Sequence, residues 1–246
     1  MNRNMLRSGN PTLNSKTFQG LANVGDSSMT LQGTVNKTAV SLLILLITGY
    51  YTYSQGNTEL MYVGFIGGFI LALITIFKKQ WSPITVPIYS ALEGLALGGI
   101  SFAFKEMFYP GIVLQAILFT LGIFFALLFA YKSKIIKPTA NFKLGVFAAT
   151  AGIGVAYLIS FLMSMFGSGG LEIFNPFNGG LMSIGISLFI VLIASLNLVM
   201  DFDFIEEAVD NGSPKYMEWY GAFGLLVTLI WLYIEILRLL AKISRR

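Results

Sequence analysis

The chain has 246 residues, 55% of them hydrophobic and only 11% charged, with a mean hydropathy of +0.74. Soluble domains carry about a quarter charged residues, so this composition excludes an ordinary soluble domain and indicates a polytopic membrane protein. The formal charge of +4 is assigned to basic loop flanks, and no nucleic-acid partner is expected.

There is no cysteine and no histidine. Disulfides, thiolate catalysis and Cys-ligated metals are thereby removed, and zinc enzymes and Ser-His hydrolases lose their usual ligand or base. Proton-linked behaviour must come from carboxylates rather than imidazole. The apolar runs are continuous rather than alternating, which argues against a β-barrel.

Residues 1–37 read as a flexible cytoplasmic tail, polar and rich in Asn, Ser, Thr and Gly, with Arg3, Arg7, Lys16 and Lys37. No cleaved signal peptide is expected. Within the tail, "SMTLQGTVNK" (28–37) is a candidate interfacial helix. The second region, 38–246, holds seven apolar segments at about 38–54, 59–77, 84–104, 111–131, 144–166, 180–200 and 219–241. Each approaches the ~20 residues that cross a bilayer core, which gives an all-α fold with seven transmembrane helices and the lipid bilayer as its partner. Tyr50, Tyr51 and Tyr53 close the first span, and Trp81 and Trp219 flank others as interfacial aromatics. Ser213 before Pro214 reads as an N-cap and N1 proline that start the last helix near 214.

Lysine placement orients the spans. Lys78 and Lys79 mark one loop and Lys132, Lys134, Lys137 and Lys143 another, while the intervening loops are nearly bare. The N-terminus is therefore expected in the cytoplasm. Arg245 and Arg246 leave two options for the last segment, a full span or a re-entrant one.

Small-residue pairs come at Gly64/Gly68 and Gly94/Gly98, spaced for close helix packing. "GSGGLEIFNPFNGG" (167–180) lacks a GK[ST] ending and reads as a loop. The two Asn-X-Ser/Thr matches, Asn36 and Asn211, fall on the expected cytoplasmic side.

Ionisable residues inside spans are costly and mark functional candidates. Glu93 lies midway along the third segment, Asp201 and Asp203 at the inner end of the sixth, and Glu235 deep in the seventh. Asn197, one turn before Asp201, is placed to hydrogen-bond it. Asp203 points to nearly the opposite side and is read as meeting the solvated end with Glu206 and Glu207. Two roles are open to Arg238: pairing with Glu235 three residues before it, or snorkelling to the interface. An intramembrane aspartyl protease would need a GxGD motif, and a retinal protein a lysine midway along its last span; neither is present, so no enzyme activity is expected.

"PIYSALEGLALGGISFAF", "YPGIVLQAILFTLGIF", "NLVMDFDFIEEAV" and "EWYGAFGLLVTLIWLYIEILRLL", with the tail pieces "SGNPTLN" and "MTLQGTVNK", together resemble the bacterial branch of the Bax inhibitor family. The resemblance covers nearly the whole chain and rests on the order of these motifs. It implies a seven-helix bundle with the last helix central, in a bacterial cytoplasmic membrane. It also implies a pH-sensitive calcium leak, latched by a proton shared between an acid on the sixth helix and one on the seventh. The family pattern Tyr-Asp-Thr-Gln falls on "MDFD" and maps its acid onto Asp201; Leu-Tyr-Leu-Asp falls on "LYIE" and maps its acid onto Glu235, where Glu replaces Asp. The third-helix acid falls on Glu93. No cofactor is implied, and Ca²⁺ enters as permeant ion or transient ligand of Asp201 and Glu235. Two alternatives accompany this reading: a non-transporting regulator that binds a membrane-anchored ATP-dependent protease through the tail, and a proton-coupled transporter.

A geometric expectation qualifies the latch. With a turn near 211–213, Asp201 faces about residue 223, and Glu235 lies ~18 Å further along at 1.5 Å per residue.

Overall fold

The computed structural model describes residues 28–56, 59–167 and 169–246. Among these residues seven helices are long and apolar enough to cross a membrane. They are α1 (Leu31–Gln55), α2 (Glu59–Phe77), α3 (Ser82–Met107), α4 (Ile112–Lys132), α5 (Ala140–Met165), α6 (Leu181–Asp210) and α7 (Met217–Ser244). Short 3₁₀ turns at Lys79–Trp81 and Glu172–Phe174 complete the regular structure. All seven expected spans are present.

The expected tail, 1–37, falls largely outside the described residues. From Leu31 onward its sequence is the first two turns of α1, so 31–37 continue into the first span instead of forming a separate interfacial helix. Thr30 sets that start: its backbone is extended and its hydroxyl accepts from the Gly33 amide at 3.0 Å.

The chain divides into two compact units. One contains α1–α3 together with Asp203–Val227. Here glycines bring backbones together. A Cβ on Gly64 would stand 2.5 Å from the Ala96 amide nitrogen and the Leu92 carbonyl oxygen, and one on Gly94 would collide with Thr48 and the Leu45 carbonyl. The GxxxG pairs are thus packing devices on α2 and α3, and Gly68 has a further use described below.

The end of α6 and the start of α7 also lie in this unit. Gly212 (φ 67°) stops α6: its amide donates to the Val209 carbonyl at 2.9 Å and the Ser213 amide to the Ala208 carbonyl at 3.1 Å. This is the Schellman arrangement, in which the left-handed residue is usually glycine. The chain then runs through an antiparallel bridge between Pro214 and Ser28, with the Met29 amide donating to the Ser213 carbonyl at 2.7 Å. α7 begins at Met217, three residues later than Pro214. Ser213 is no N-cap; its buried hydroxyl has no hydrogen-bond partner. Tight backbone bonds Met217 to Pro214, Glu218 to Lys215 and Trp219 to Tyr216 satisfy the first amides instead.

The other unit comprises Phe108–Phe202 and Thr228–Arg246. Ile153 on α5 packs with Ile190 and Ile193 on α6, and Tyr157, Phe174 and Trp231 close over them. The last segment is one continuous helix of 28 residues, which removes the re-entrant option. Its end meets the loops at 108–111 and 169–180: the Arg245 guanidinium lies 5.1 Å from the Phe108 ring centre and 5.2 Å from that of Phe177. The C-terminus therefore stands at the lysine-poor end of this unit.

Candidate functional site

In α7, Thr228, Trp231, Glu235, Arg238 and Lys242 follow one another at spacings of three and four, which puts them on one helical face. On that face Thr228, Glu235 and Lys242 are buried and Trp231 and Arg238 half-buried. In the membrane-spanning window of α7, 61% of residues are inside, against 11% for α5. The buried polar side chains on this face are shielded from lipid and water, so they need partners within the protein.

The first partner is Asp201. It is fully buried on α6, and Thr228 Oγ1 donates to its Oδ2 at 2.6 Å. The contact fixes the register of the two helices. Asp201 meets residue 228 rather than 223, because α6 runs on to Asp210 and the reversal centres near 214–215. Glu235 is then only seven residues from the Asp201 contact, an axial offset of about 10 Å instead of ~18 Å.

Glu235 is 1% exposed and has its own set of partners. Its Oε1 accepts from the Tyr157 hydroxyl at 2.5 Å and from Arg238 Nη1 at 2.6 Å. Arg238 Nη1 also donates to the Tyr157 hydroxyl at 3.0 Å, and its guanidinium lies 5.5 Å from the Tyr157 ring centre. The three side chains close a triangle around one carboxylate oxygen. The other, Oε2, is buried with no hydrogen-bond partner. Of the two roles open to Arg238, the structure takes pairing.

One turn further, Lys242 is fully buried. Its ammonium donates to the Ile173 carbonyl, to Ser187 Oγ at 2.8 Å and to the Ser183 carbonyl at 3.3 Å. It thereby ties the end of α7 to the Glu172–Phe174 turn and to the start of α6.

Asn197 differs from expectation. Its amide donates to Thr150 Oγ1 on α5 at 2.8 Å and to the Ile193 carbonyl at 2.9 Å. Both donor hydrogens are used there, and Asp201 takes its hydroxyl from Thr228. Asn197 thus joins α5 to α6 instead of serving the acid.

Glu93 and Asp203 belong to the other unit. The Glu93 side chain is hydrogen-bonded to Tyr89, one turn before it on α3. Gly68 makes room for it, since a Cβ there would lie 2.7 Å from Glu93 Oε1. Asp203 is half-buried, with two turns of α6 still to follow.

Tyr157, Thr228 and Lys242 escape a reading of isolated charges. Tyr157 is a lone hydroxyl in an apolar run, indistinguishable from an interfacial aromatic. The heptad spacing 228–235–242 is visible in the sequence and puts Thr228 and Lys242 on the same face as Glu235, two turns away on either side.

Among the described residues no group of three or more carboxylates converges as a metal cage. Asp201 is held by the Thr228 hydroxyl, and Glu235 by the Tyr157 hydroxyl and the Arg238 guanidinium together. No curated protein matches the chain. The family model described as Bax inhibitor 1 like matches residues 10–245. The chain belongs to the Bax inhibitor family of membrane proteins.

Proposed function

We propose that the protein carries a pH-sensitive calcium leak across its membrane, controlled by protonation of Asp201 and Glu235. The observation that supports this reading is the pair of fully buried carboxylates on α6 and α7, with the Glu235 Oε2 left without a hydrogen bond. Ionised acids are rare in membrane interiors and line ion or proton paths when they occur there.

The offset of about 10 Å along α7 suits two successive stations better than one proton shared by two touching acids. At the first, the Thr228 hydroxyl serves Asp201 whether the acid is protonated or not. At the second, Tyr157 and Arg238 hold Glu235. Protonating either acid removes a hard anionic oxygen that Ca²⁺ needs, and deprotonation restores it. Ca²⁺ is cargo in this scheme, passed between carboxylate oxygens rather than caged.

Calcium flux into proteoliposomes, followed against pH, tests the reading. Asp201→Asn and Glu235→Gln are each expected to flatten the pH dependence, and an unchanged profile in both variants would sink it. Deleting residues 1–27 leaves the flux intact on this reading. If the wild-type protein passes no calcium and the deletion releases a bound membrane protease, the regulator reading takes its place.

A further inference from the structure

We infer that Arg238 is a tethered counter-ion that occupies Glu235 in place of a metal cation, so that its guanidinium sets how readily the acid accepts calcium. The inference rests on the proposed calcium path and adds a residue that determines occupancy and selectivity along it.

The geometry is specific. Arg238 reaches back one turn along its own helix to Glu235 Oε1 at 2.6 Å, and Tyr157 holds both ends of the pair from α5. The guanidinium is steadied a second time by the Tyr157 ring beneath it. A buried acid with its own cation is locally neutral and exerts little pull on a second one. Yet only one of its oxygens is engaged, and Oε2 is buried with no hydrogen-bond partner. A group built solely for stability would be expected to satisfy both oxygens, because an unpaired buried carboxylate oxygen is costly.

The other cation on this face does not replace Arg238. Lys242 lies within electrostatic reach of Glu235 but is committed to the Ile173 and Ser183 carbonyls and to Ser187, and makes no direct ion pair with the acid. Removing the guanidinium therefore leaves a buried carboxylate with Tyr157 as hydrogen-bond donor and no positive partner at bonding distance. Such a group attracts a hard divalent or trivalent cation.

Terbium, a trivalent stand-in for calcium, provides the test, because Tyr157 and Trp231 are placed to sensitise its luminescence. In purified full-length protein the Arg238→Gln variant should show terbium binding at least tenfold tighter than wild type, and the gain should vanish in Arg238→Gln/Glu235→Gln. In proteoliposomes the same single variant should leak calcium several-fold faster at the same pH. Should Arg238→Gln fail to fold, Arg238→Lys, with a single compact donor group, is expected to show a smaller gain of the same sign. Equal terbium affinity in wild type and the folded variants, or a gain that survives loss of Glu235, overturns the inference. A wild-type protein that passes no calcium at any pH counts against the proposed leak, while terbium binding judges the counter-ion separately.

Discussion

Thr228 Oγ1 lies 2.6 Å from Asp201 Oδ2, and this one contact sets the register between the sixth and seventh helices. Both residues are buried, so the bond forms where water cannot substitute for it. A hydrogen bond to an acid in such a place contributes about 1.5–3 kcal/mol. Thr228→Val keeps the shape and removes the hydroxyl. It should lower stability in detergent by about 1–3 kcal/mol, whereas Thr228→Ser should cost less than about 1 kcal/mol. Thermal unfolding of the two variants side by side checks this; equal losses would mean that the methyl packing, not the hydroxyl, matters.

Glycine positions give a contrast that needs no functional assay. Gly94→Ala drives a methyl into the Leu45 carbonyl and the Thr48 hydroxyl, whereas a Cβ on Gly152 meets nothing within 4 Å. Overpacking against backbone costs about 1–3 kcal/mol. Gly152→Ala should instead be neutral or gain up to about 1 kcal/mol from helix propensity. Melting temperatures of the two variants should therefore move in opposite directions or differ clearly, and matching shifts would contradict the close approach.

Glu218 offers a third test at the other end of α7. Its carboxylate is fully buried and accepts from the Thr30 amide at 3.0 Å, from the Thr30 hydroxyl at 2.9 Å and from the Lys37 ammonium. The space for it exists because residue 33 is glycine. Glu218→Ala removes an acceptor common to the start of α1 and to Lys37, at a cost of about 2–4 kcal/mol. Hydrogen exchange at the Thr30 amide should quicken by an order of magnitude or more in this variant, and unchanged exchange would show that the Met29–Ser213 bond alone holds the segment.

The fold was legible in the sequence because the bilayer imposes a length on each apolar run, and all seven runs became helices. Glu235 and Asp201 were legible for a related reason: a charge is conspicuous in an apolar segment. Their partners were not. Tyr157 and Thr228 are chemically ordinary in a membrane helix, and only the packing of α5 and α6 on α7 reveals what they hold. The sequence puts the two acids too far apart because Ser213-Pro214 looks like a helix start, whereas Gly212 ends α6 and a bridged segment delays α7 to Met217. A reversal displaced by two to three residues moves the facing position by five, since the shift counts on both helices. Lys242 is inconspicuous in the sequence because it stands near the helix end. A lysine so close to the end would ordinarily snorkel to the interface, but here the Glu172–Phe174 turn covers it.

Lys242 in turn yields a stability prediction. Its ammonium fills acceptors on three groups that lie around the end of α7. Lys242→Met keeps the stem and strips the donors, leaving the Ile173 and Ser183 carbonyls without this partner. The Ile173 carbonyl keeps the Ser183 hydroxyl as a donor at 3.1 Å, so the expected loss is about 1.5–3 kcal/mol, the worth of hydrogen bonds to a charged group. Tryptophan fluorescence on heating follows it conveniently, because Trp231 lies on the same face. A variant as stable as wild type would show that water reaches the Lys242 site.

The end of α7 can be located against the membrane with little perturbation, because the chain contains no cysteine and any introduced thiol is the only one. Gly179 lies against Arg245, whose guanidinium covers the Phe108 and Phe177 rings. Residues near 178 and 246 therefore share one end of their unit. The connection between α4 and α5, with Lys134 in it, is at the other end of the same helices. Single cysteines at Asn178 and Arg246 should react with a membrane-impermeant maleimide from the same side, and a cysteine at Lys134 from the opposite side. Loops rich in lysine favour the cytoplasm, so in intact cells the Asn178 and Arg246 positions are expected to label from outside. Labelling of Arg246→Cys only after the cells are opened, together with Lys134→Cys, would contradict a seventh helix that crosses the membrane.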